Sequence, residues 1–366
     1  MKKVWSFVIT GGPCSGKTTA LSTIEQELSI RGYYVLTIPE TATELIPNGI
    51  KPFGGSLTPL EFQYAVVEKQ LAKEALYRRV ADQIPCDKIV ILLDRGIMDG
   101  KSYVSNEDFS KILGSFNLSE IDARDRYSAV FHMVTAANGA ESAYSLANNV
   151  ARTETPEEAC KLDCLGIDNW TGHQHLHIID NSTDFEGKIK RLMNAVYSAL
   201  GIPEIAEIDR KYLIEIPDFR SISSAHFTEI DIVQTYLKSD CNNVELRLRS
   251  RCQDGAFSYY LTQKTDLENG AKRIEVERKI SEREYVSSLS RIDPFSQPIV
   301  KKRTCFVYKN QCFKVDVFDF SDKHALLEID CSADTSVIFP DFIKVVRDVT
   351  GDPLYRNYKL SKRRML

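Results

Sequence analysis

Residues Gly11 to Thr18 read Gly-Gly-Pro-Cys-Ser-Gly-Lys-Thr, a full match to G-x-x-x-x-G-K-[ST]. The apolar run Val4–Thr10 precedes them, and a helical pattern over Thr18–Ser29 follows, ending near Arg31-Gly32. That succession constrains the chain more than any other feature. Glycines let backbone N–H groups wrap a phosphate, and the helix behind them points its positive dipole end at the same spot. Lys17 then reaches the β- and γ-phosphates, and the Thr18 hydroxyl sits on Mg²⁺. The motif supplies a phosphate-contacting set: Gly11, Gly12, Pro13, Cys14, Ser15, Gly16, Lys17, Thr18 and Thr19. A continuous apolar strand feeding such a loop belongs in a parallel sheet covered on both faces.

The pattern continues through the first half of the chain. Tyr33–Pro39, Lys88–Leu93, Ala129–Thr135 and His175–Ile179 read as further strands. Between them lie helical stretches, the longest over Thr58–Ala81, where Thr58 and Pro59 are good cap and first-turn residues. A last helix over Phe185–Leu200 ends at Gly201-Ile202-Pro203. Strands alternating with helices imply an α/β fold.

Four positions outside the loop carry candidate chemistry. Asp94 follows the third strand, where a carboxylate holds Mg²⁺ or its water, or caps the next helix. Arg95 suits a phosphate or substrate oxygen, as in the Asp-Arg pairs of nucleoside kinases, or a surface ion pair. Glu40 ends the second strand, the place of a base or substrate-holding carboxylate, or of a helix cap. Arg152 lies in a lid-like stretch, able to close on phosphates, or on a solvated helix face. Asn181 follows the fifth strand at a position where several phosphate-loop kinases contact the base. No Asn-Lys-x-Asp guanine-reading motif is present. His173, His175 and His177 alternate, so one strand would aim them the same way, but one strand seldom supplies a full metal ligand set.

After Pro203 the texture changes to period-2 strands: 205–216, 244–251, 258–264, 273–280, 301–307, 311–318 and 325–331, with a helix expected over Phe339–Val349. The boundary falls at Gly201–Glu204, giving a nucleotide-binding domain over 1–203 and a second domain over 204–366. Two domains suit 366 residues. Charged residues alternate with apolar ones on almost every strand of the second half. Glu207, Asp209 and Lys211 share one strand face; Arg247 and Arg249 share another; Lys264, Arg273, Glu275, Glu277, Arg303, Asp316, Glu328 and Asp330 complete the set. A one-sided sheet in water would mix in Ser, Thr and Gln. A closed antiparallel β-barrel with the charges inward makes a polar lumen instead. Its bases suit phosphate oxygens, and its acids suit Mg²⁺ or Mn²⁺.

Composition sets the outer bounds. Lys+Arg 47 against Asp+Glu 51 gives a net charge of -4, so bulk attraction to nucleic acid is not expected. No apolar run reaches the roughly 18–20 residues of a bilayer span, and cleaving the first strand as a leader would destroy the phosphate loop. The 9 cysteines are odd in number and scattered, with only Cys160 and Cys164 close together, the usage of reduced thiols in a cytoplasmic protein.

The blocks EIDRKYLI, ELRLR, RIEVERKI, LLEIDC and VTGDPLYRNYKLS resemble, in the same order, those of the CYTH or triphosphate-tunnel metalloenzyme superfamily over about 204–360, with Asp209 where that pattern has a second Glu. The resemblance implies a tunnel that binds triphosphate-like groups with divalent metal. A phosphate-loop kinase-like domain fused to such a tunnel resembles the TRPL-translocation-defect protein family. That likeness implies GTP or GDP with Mg²⁺ on Gly11–Thr19 and Asp94, a phosphoinositide headgroup in the tunnel helped by Lys359, Lys362, Arg363 and Arg364, peripheral membrane association, and a part in membrane-protein trafficking. Two other readings stay open. In one the first domain is a nucleoside or nucleotide kinase using Glu40, Arg95 and Arg152; in the other the tunnel is a metal-dependent triphosphatase.

Overall fold

The computed structural model describes residues 2–52, 54, 57–144, 155–202, 208–222, 225–241, 243–266, 273–331 and 336–366. The chain divides into two units, Met1–Leu200 and Gly201–Leu366.

In the first unit, five short runs rich in Val, Ile and Leu form β1 (Lys3–Thr10), β2 (Tyr34–Ile38), β3 (Lys88–Asp94), β4 (Ala129–Met133) and β5 (Leu176–Ile179). All pairings are parallel and the order is β2-β3-β1-β4-β5. Helices α1 (Lys17–Ile30), α2 (Thr41–Leu45), α3 (Pro59–Gln83), α4 (Asn106–Ser115), α5 (Glu120–Arg124), α6 (Pro156–Trp170) and α7 (Phe185–Ala199) occupy the connections. Every residue of β4 is buried, as parallel strands sandwiched by helices require. Thr58 caps α3 and Thr155 caps α6, each in a reciprocal box with a Glu three residues on. The expected strand and helix positions in this unit agree with the structure to within one or two residues at most ends. The carboxyl ends of β1 and β3 place the phosphate loop and Asp94 side by side, since Ile9 registers with Asp94.

The second unit holds β6 (Ile208–Glu215), β7 (Thr228–Leu237), β8 (Val244–Gln253), β9 (Ala256–Asp266), β10 (Arg273–Ile280), β11 (Ile299–Tyr308), β12 (Gln311–Phe318), β13 (His324–Cys331) and β14 (Val345–Asp348), with α8 (Glu282–Ser288) and α9 (Asn357–Arg363). They make one antiparallel sheet in the order β10-β9-β8-β7-β11-β12-β13-β6-β14. Two expectations are corrected. The sheet is open: among the described residues, the end strands β10 and β14 do not pair with each other. β14 spans only four residues and shifts register between Val345 and Arg347, so it offers no regular edge on which a ring could close. The helix expected over Phe339–Val349 is absent, and β14 takes its place. β7 was not anticipated either, although its residues alternate buried and exposed over the first half of the strand.

Register fixes which side chains share a face. Glu277 lies opposite Thr262, Thr262 opposite Arg247, Arg303 opposite Asp316, and Glu328 between Lys314 and Lys211. The other face packs Tyr212, Ile214, Phe306, Phe313, Val315, Leu327 and Ile329 into an apolar cluster. Phe306 and Phe313 stack there at 5.0 Å. On the charged side, Val349, Tyr355 and Leu360 cover Leu213, Ile299, Phe318 and Leu326.

Candidate functional site

The loop between β1 and α1 has a backbone that few other sequences could adopt. Gly11 stands at φ +135°, and a Cβ there would lie 2.0 Å from the Met133 carbonyl oxygen. Gly16 stands at φ +89°, where a Cβ would meet Phe185 at 2.6 Å. Cys14 also takes a positive φ of 56°. The Lys17 ammonium arches over the loop and donates to the Gly11 and Gly12 carbonyls at 2.9 and 3.0 Å and to Ser15 Oγ at 3.3 Å. Thr18 and Thr19 open α1 on its exposed side.

Beside the loop, Arg95 Nε donates to Glu40 Oε1 at 2.7 Å, and Thr43 Oγ1 donates to Glu40 Oε2 at 2.7 Å. Glu40 is the N-cap of α2 by position, yet its side chain caps no backbone N–H. Burial works to raise the Glu40 pKa, but Arg95, Thr43 and Lys17 outweigh it and hold the carboxyl below its ordinary value. Asp94 goes the other way. Burial first, then the neighbouring Glu40, pushes its carboxyl up, against the pull of Lys17 and Arg95. Asp94 Oδ1 is buried without a hydrogen-bond partner. Two adjacent carboxylates with oppositely shifted acidities are a recurrent arrangement of reactive sites. A buried, unpartnered carboxylate oxygen next to a phosphate loop fits a divalent cation, which would satisfy it and lower its pKa again.

Sequence reasoning missed the groups that hold this loop from behind. Asp163 on α6 accepts at one oxygen from Gly12 N–H at 2.7 Å, His132 Nε2 at 3.0 Å and Thr135 N–H at 3.2 Å. Lys188 on α7 donates to the carbonyls of Ser15 and Val134 at 3.2 and 2.7 Å and to Asn181 Oδ1 at 2.7 Å. Asn181 donates both amide hydrogens to main chain, at Thr135 O (2.8 Å) and Asn138 O (2.6 Å). Asp99, buried, receives Thr10 Oγ1, Gly96 N–H (2.7 Å) and Trp170 Nε1 (3.4 Å). No local motif announces Asp163, Lys188 or Asp99, each a lone polar residue on a helix or turn; Asn181, singled out in the sequence for its position after the fifth strand, gives its amide hydrogens to main chain. Arg152 lies outside the described residues.

The three histidines do not share a strand. β5 starts at Leu176. His173 Nε2 meets Tyr127 O at 3.1 Å, and His177 stacks on Phe131 at 5.1 Å. Among the described residues no cluster of three or more His, Cys, Asp or Glu is arranged to hold a metal ion.

In the second unit the charged side chains form two networks on one face of the sheet. In the first, Arg303 forks onto both oxygens of Asp316 at 2.7 Å each and reaches Glu328 at 2.7 Å; Lys301 also pairs with Asp316, and Lys211 with Glu328 at 2.8 Å. In the second, Arg247 lies 3.4 Å from Glu275 and 3.5 Å from Glu277, Arg249 lies 3.4 Å from Glu277, and Lys264 lies 2.7 Å from Glu275. The two networks bring together six bases and four acids among the described side chains. The arginines are largely out of solvent, Arg247 at 5% exposure, Arg249 at 11% and Arg303 at 12%, whereas Glu275 is 45% exposed. Burial, and then Arg247 beside it, lowers Arg249 to about 10. Burial would raise Glu328, but Lys211, Arg303 and Lys301 hold it well below the usual carboxylate range. Arg273, Asp209 and Asp330 sit on their strands, with Asp330 registering opposite Asp209; Glu207 lies outside the described residues.

No curated protein sequence matches the chain. Among solved structures, the inorganic triphosphatase NE1496 is 23% identical, covering 44% of this chain and 97% of its own, with a TM-score of 0.32. The PH1012 protein of Pyrococcus horikoshii OT3 is 18% identical over 35% of this chain and 80% of its own, with a TM-score of 0.26. Likenesses this distant place no constraint on what this chain does. The first unit is different. Residues 6–188, half of the chain, match the AAA domain family model AAA_28, and with the phosphate loop formed as described above, the chain belongs to the AAA domain family.

Proposed function

We propose that the first unit binds a nucleoside triphosphate with Mg²⁺, and that the charged face of the second unit holds a phosphorylated anion. The observation that carries the first half is the loop: Gly11 pressed on Met133, Lys17 arched over the crest, and Asp94 beside it with an unsatisfied buried oxygen. Mg²⁺ bound by Asp94 and Thr18 would neutralise charge on the β- and γ-phosphates. Lys17 leaves the loop carbonyls for the phosphates, and the loop N–H groups take the oxygens. Guanine is the proposed base, on the family resemblance of the sequence. For the second half, Arg247, Arg249 and Lys264 are the proposed contacts, with a phosphoinositide headgroup as ligand and peripheral attachment to membranes of the trafficking route as consequence. No helix among the described residues is long and apolar enough to cross a membrane.

A kinase reading of the first unit has one observation in its favour: Glu40 is held ionised by Arg95 at 2.7 Å and would serve as the base that takes a proton from an acceptor hydroxyl. Titration of the full chain with GTP, GDP, ATP and ADP, with and without Mg²⁺, tests the nucleotide proposal. GTP is expected to bind tightest, with at least about a tenfold loss in Lys17→Ala, or about 1.4 kcal/mol. Absence of binding by all four nucleotides at millimolar concentration would end the reading. Sedimentation with phosphoinositide-containing vesicles tests the second half: binding is expected to fall in Arg247→Ala and to persist on phosphatidylserine vesicles only if general anionic attraction is responsible. A screen of nucleosides for phosphate acceptance decides the kinase reading.

A further inference from the structure

We propose that Asp163 and Lys188 are positioning residues that clamp the phosphate loop from behind in the shape that receives a nucleotide's phosphates. The inference rests on the nucleotide reading above and adds the residues that set the loop's geometry.

A loop of this kind has main-chain groups that neither the sheet nor the helix can pair, and a buried N–H or C=O must find a partner. Gly12 N–H and Ser15 C=O are two such groups. Asp163, from α6, takes the first at 2.7 Å, and Lys188, from α7, takes the second at 3.2 Å. Each clamp is anchored away from the loop. Asp163 shares its oxygen with His132 of β4 and with Thr135 N–H just beyond β4. Lys188 gives its other two hydrogens to Val134 O and Asn181 Oδ1, so its three donors meet three acceptors. The loop is thereby tied to the end of strand β4 by two charged side chains.

The fit at Gly12 is close. A Cβ on Gly12 would come within 2.8 Å of Asp163 Oδ1 and 3.1 Å of Asp163 Cβ. Both side chains are buried, Asp163 at 2% and Lys188 at 3% exposure. Burying a charge is costly, and an apolar residue of similar volume generally serves packing as well or better. Placing two charges on loop main chain therefore points to a demand for a fixed loop shape. Asp163, Asp180 and Arg191 are the charged groups that act on Lys188. Neither clamp lies among the groups proposed to contact phosphate.

The test uses the full chain with Asp163→Ala, Asp163→Asn and Lys188→Met. Hydrogen exchange is measured first, without nucleotide, on peptides covering residues 10–18. Exchange there is expected to rise about tenfold in Asp163→Ala and Lys188→Met, with peptides of β3 unchanged. Titration with Mg·GTP and Mg·ATP is expected to show at least about tenfold weaker binding in both, since small misplacements of a binding group are expensive. Asp163→Asn keeps an oxygen toward Gly12 N–H and is expected to stay within about threefold of the parent. Folded variants in which the loop exchanges at the parental rate, or which bind nucleotide like the parent, would overturn the proposal. If Asp163→Ala does not fold, Lys188→Met decides. If the parent binds no nucleotide, the nucleotide reading fails while the exchange measurement still judges the clamp.

Discussion

Asp316 and Lys301 are partners in one ion pair, yet their removal is expected to have opposite consequences. Asp316 accepts from Lys301 and, in a fork, from Arg303. Lys301 is fully buried; burial, with Arg303 nearby, pushes its ammonium down to about 8 despite the attraction of Asp316. The fall from an ordinary 10.5 is about two to three units, which at 1.36 kcal/mol each amounts to roughly 3 kcal/mol spent on keeping this lysine charged. Lys301→Met removes that cost and leaves Asp316 satisfied by Arg303, so its stability is expected within about 1 kcal/mol of the parent, or above it. Asp316→Asn instead leaves Lys301 buried beside Arg303 without the shared carboxylate, Arg303 keeping only Glu328, and is expected to cost about 3–5 kcal/mol. For a unit of this size about 1 kcal/mol moves Tm by roughly 2–4 °C, so the calorimetric transition of the second unit should drop by about 6–20 °C in Asp316→Asn and by no more than about 4 °C in Lys301→Met. The pH profile adds a sign. The lysine's pKa is lower folded than unfolded, so between pH of about 8 and 10.5 the unfolded chain binds more protons and stability climbs as pH rises. Below that window the full cost is present in the folded state, and Lys301→Met should flatten the climb. A Lys301→Met chain destabilised as much as Asp316→Asn, or a parental transition that does not rise between pH 8 and 10, would refute the reasoning.

Gly11→Ala is expected to lose about 3 kcal/mol or more, because its Cβ meets a backbone carbonyl at 2.0 Å and its φ is hostile to side chains. Gly49→Ala, with φ +91° but nothing within 4 Å, should lose only about 1 kcal/mol; calorimetry of the first unit's transition compares the two. Asp94→Asn is expected to remove at least about tenfold of the Mg²⁺-dependent gain in GTP affinity while leaving affinity in EDTA no weaker than the parent's, since it removes a negative charge whose ionisation burial and Glu40 already disfavour. Equal Mg²⁺ dependence in both chains would refute that assignment.

What could be read from the sequence follows from how far apart the cooperating residues lie. The phosphate loop is legible because its chemistry needs eight consecutive residues, and Asp94 because a carboxylate directly after an apolar strand has a fixed place. The charged face is legible because strand periodicity puts Arg247 with Arg249 and Glu275 with Glu277 on one side. Asp163 and Lys188 are not legible: they stand 151 and 173 residues from the loop atoms they bind, each alone on a helix whose spacing says only that it packs. β14 misleads because Phe339, Phe342, Ile343, Val346 and Val349 fall at helical spacing, whereas the structure uses three of the four residues of Val345–Asp348 to pair with β6. The histidine run is uninformative because alternation alone does not make a strand: β5 starts at Leu176, so His173 and His175 lie before it, where the chain is still turning after α6. Closure of the sheet was inferred from charge alternation alone, which specifies what a face carries but not whether its ends meet.

An unclosed sheet has two borders, and each is an invitation to a foreign strand. Here the borders are poor hosts. β14 offers a short, kinked run with Arg347 and Asp348 exposed. β10 carries Glu275, Arg278 and Lys279 exposed along its length. A second molecule adding itself at β14 would meet a shifted register, and at β10, a regular strand, it would have to strip water from ionised groups, so charge guards the one border and irregularity the other.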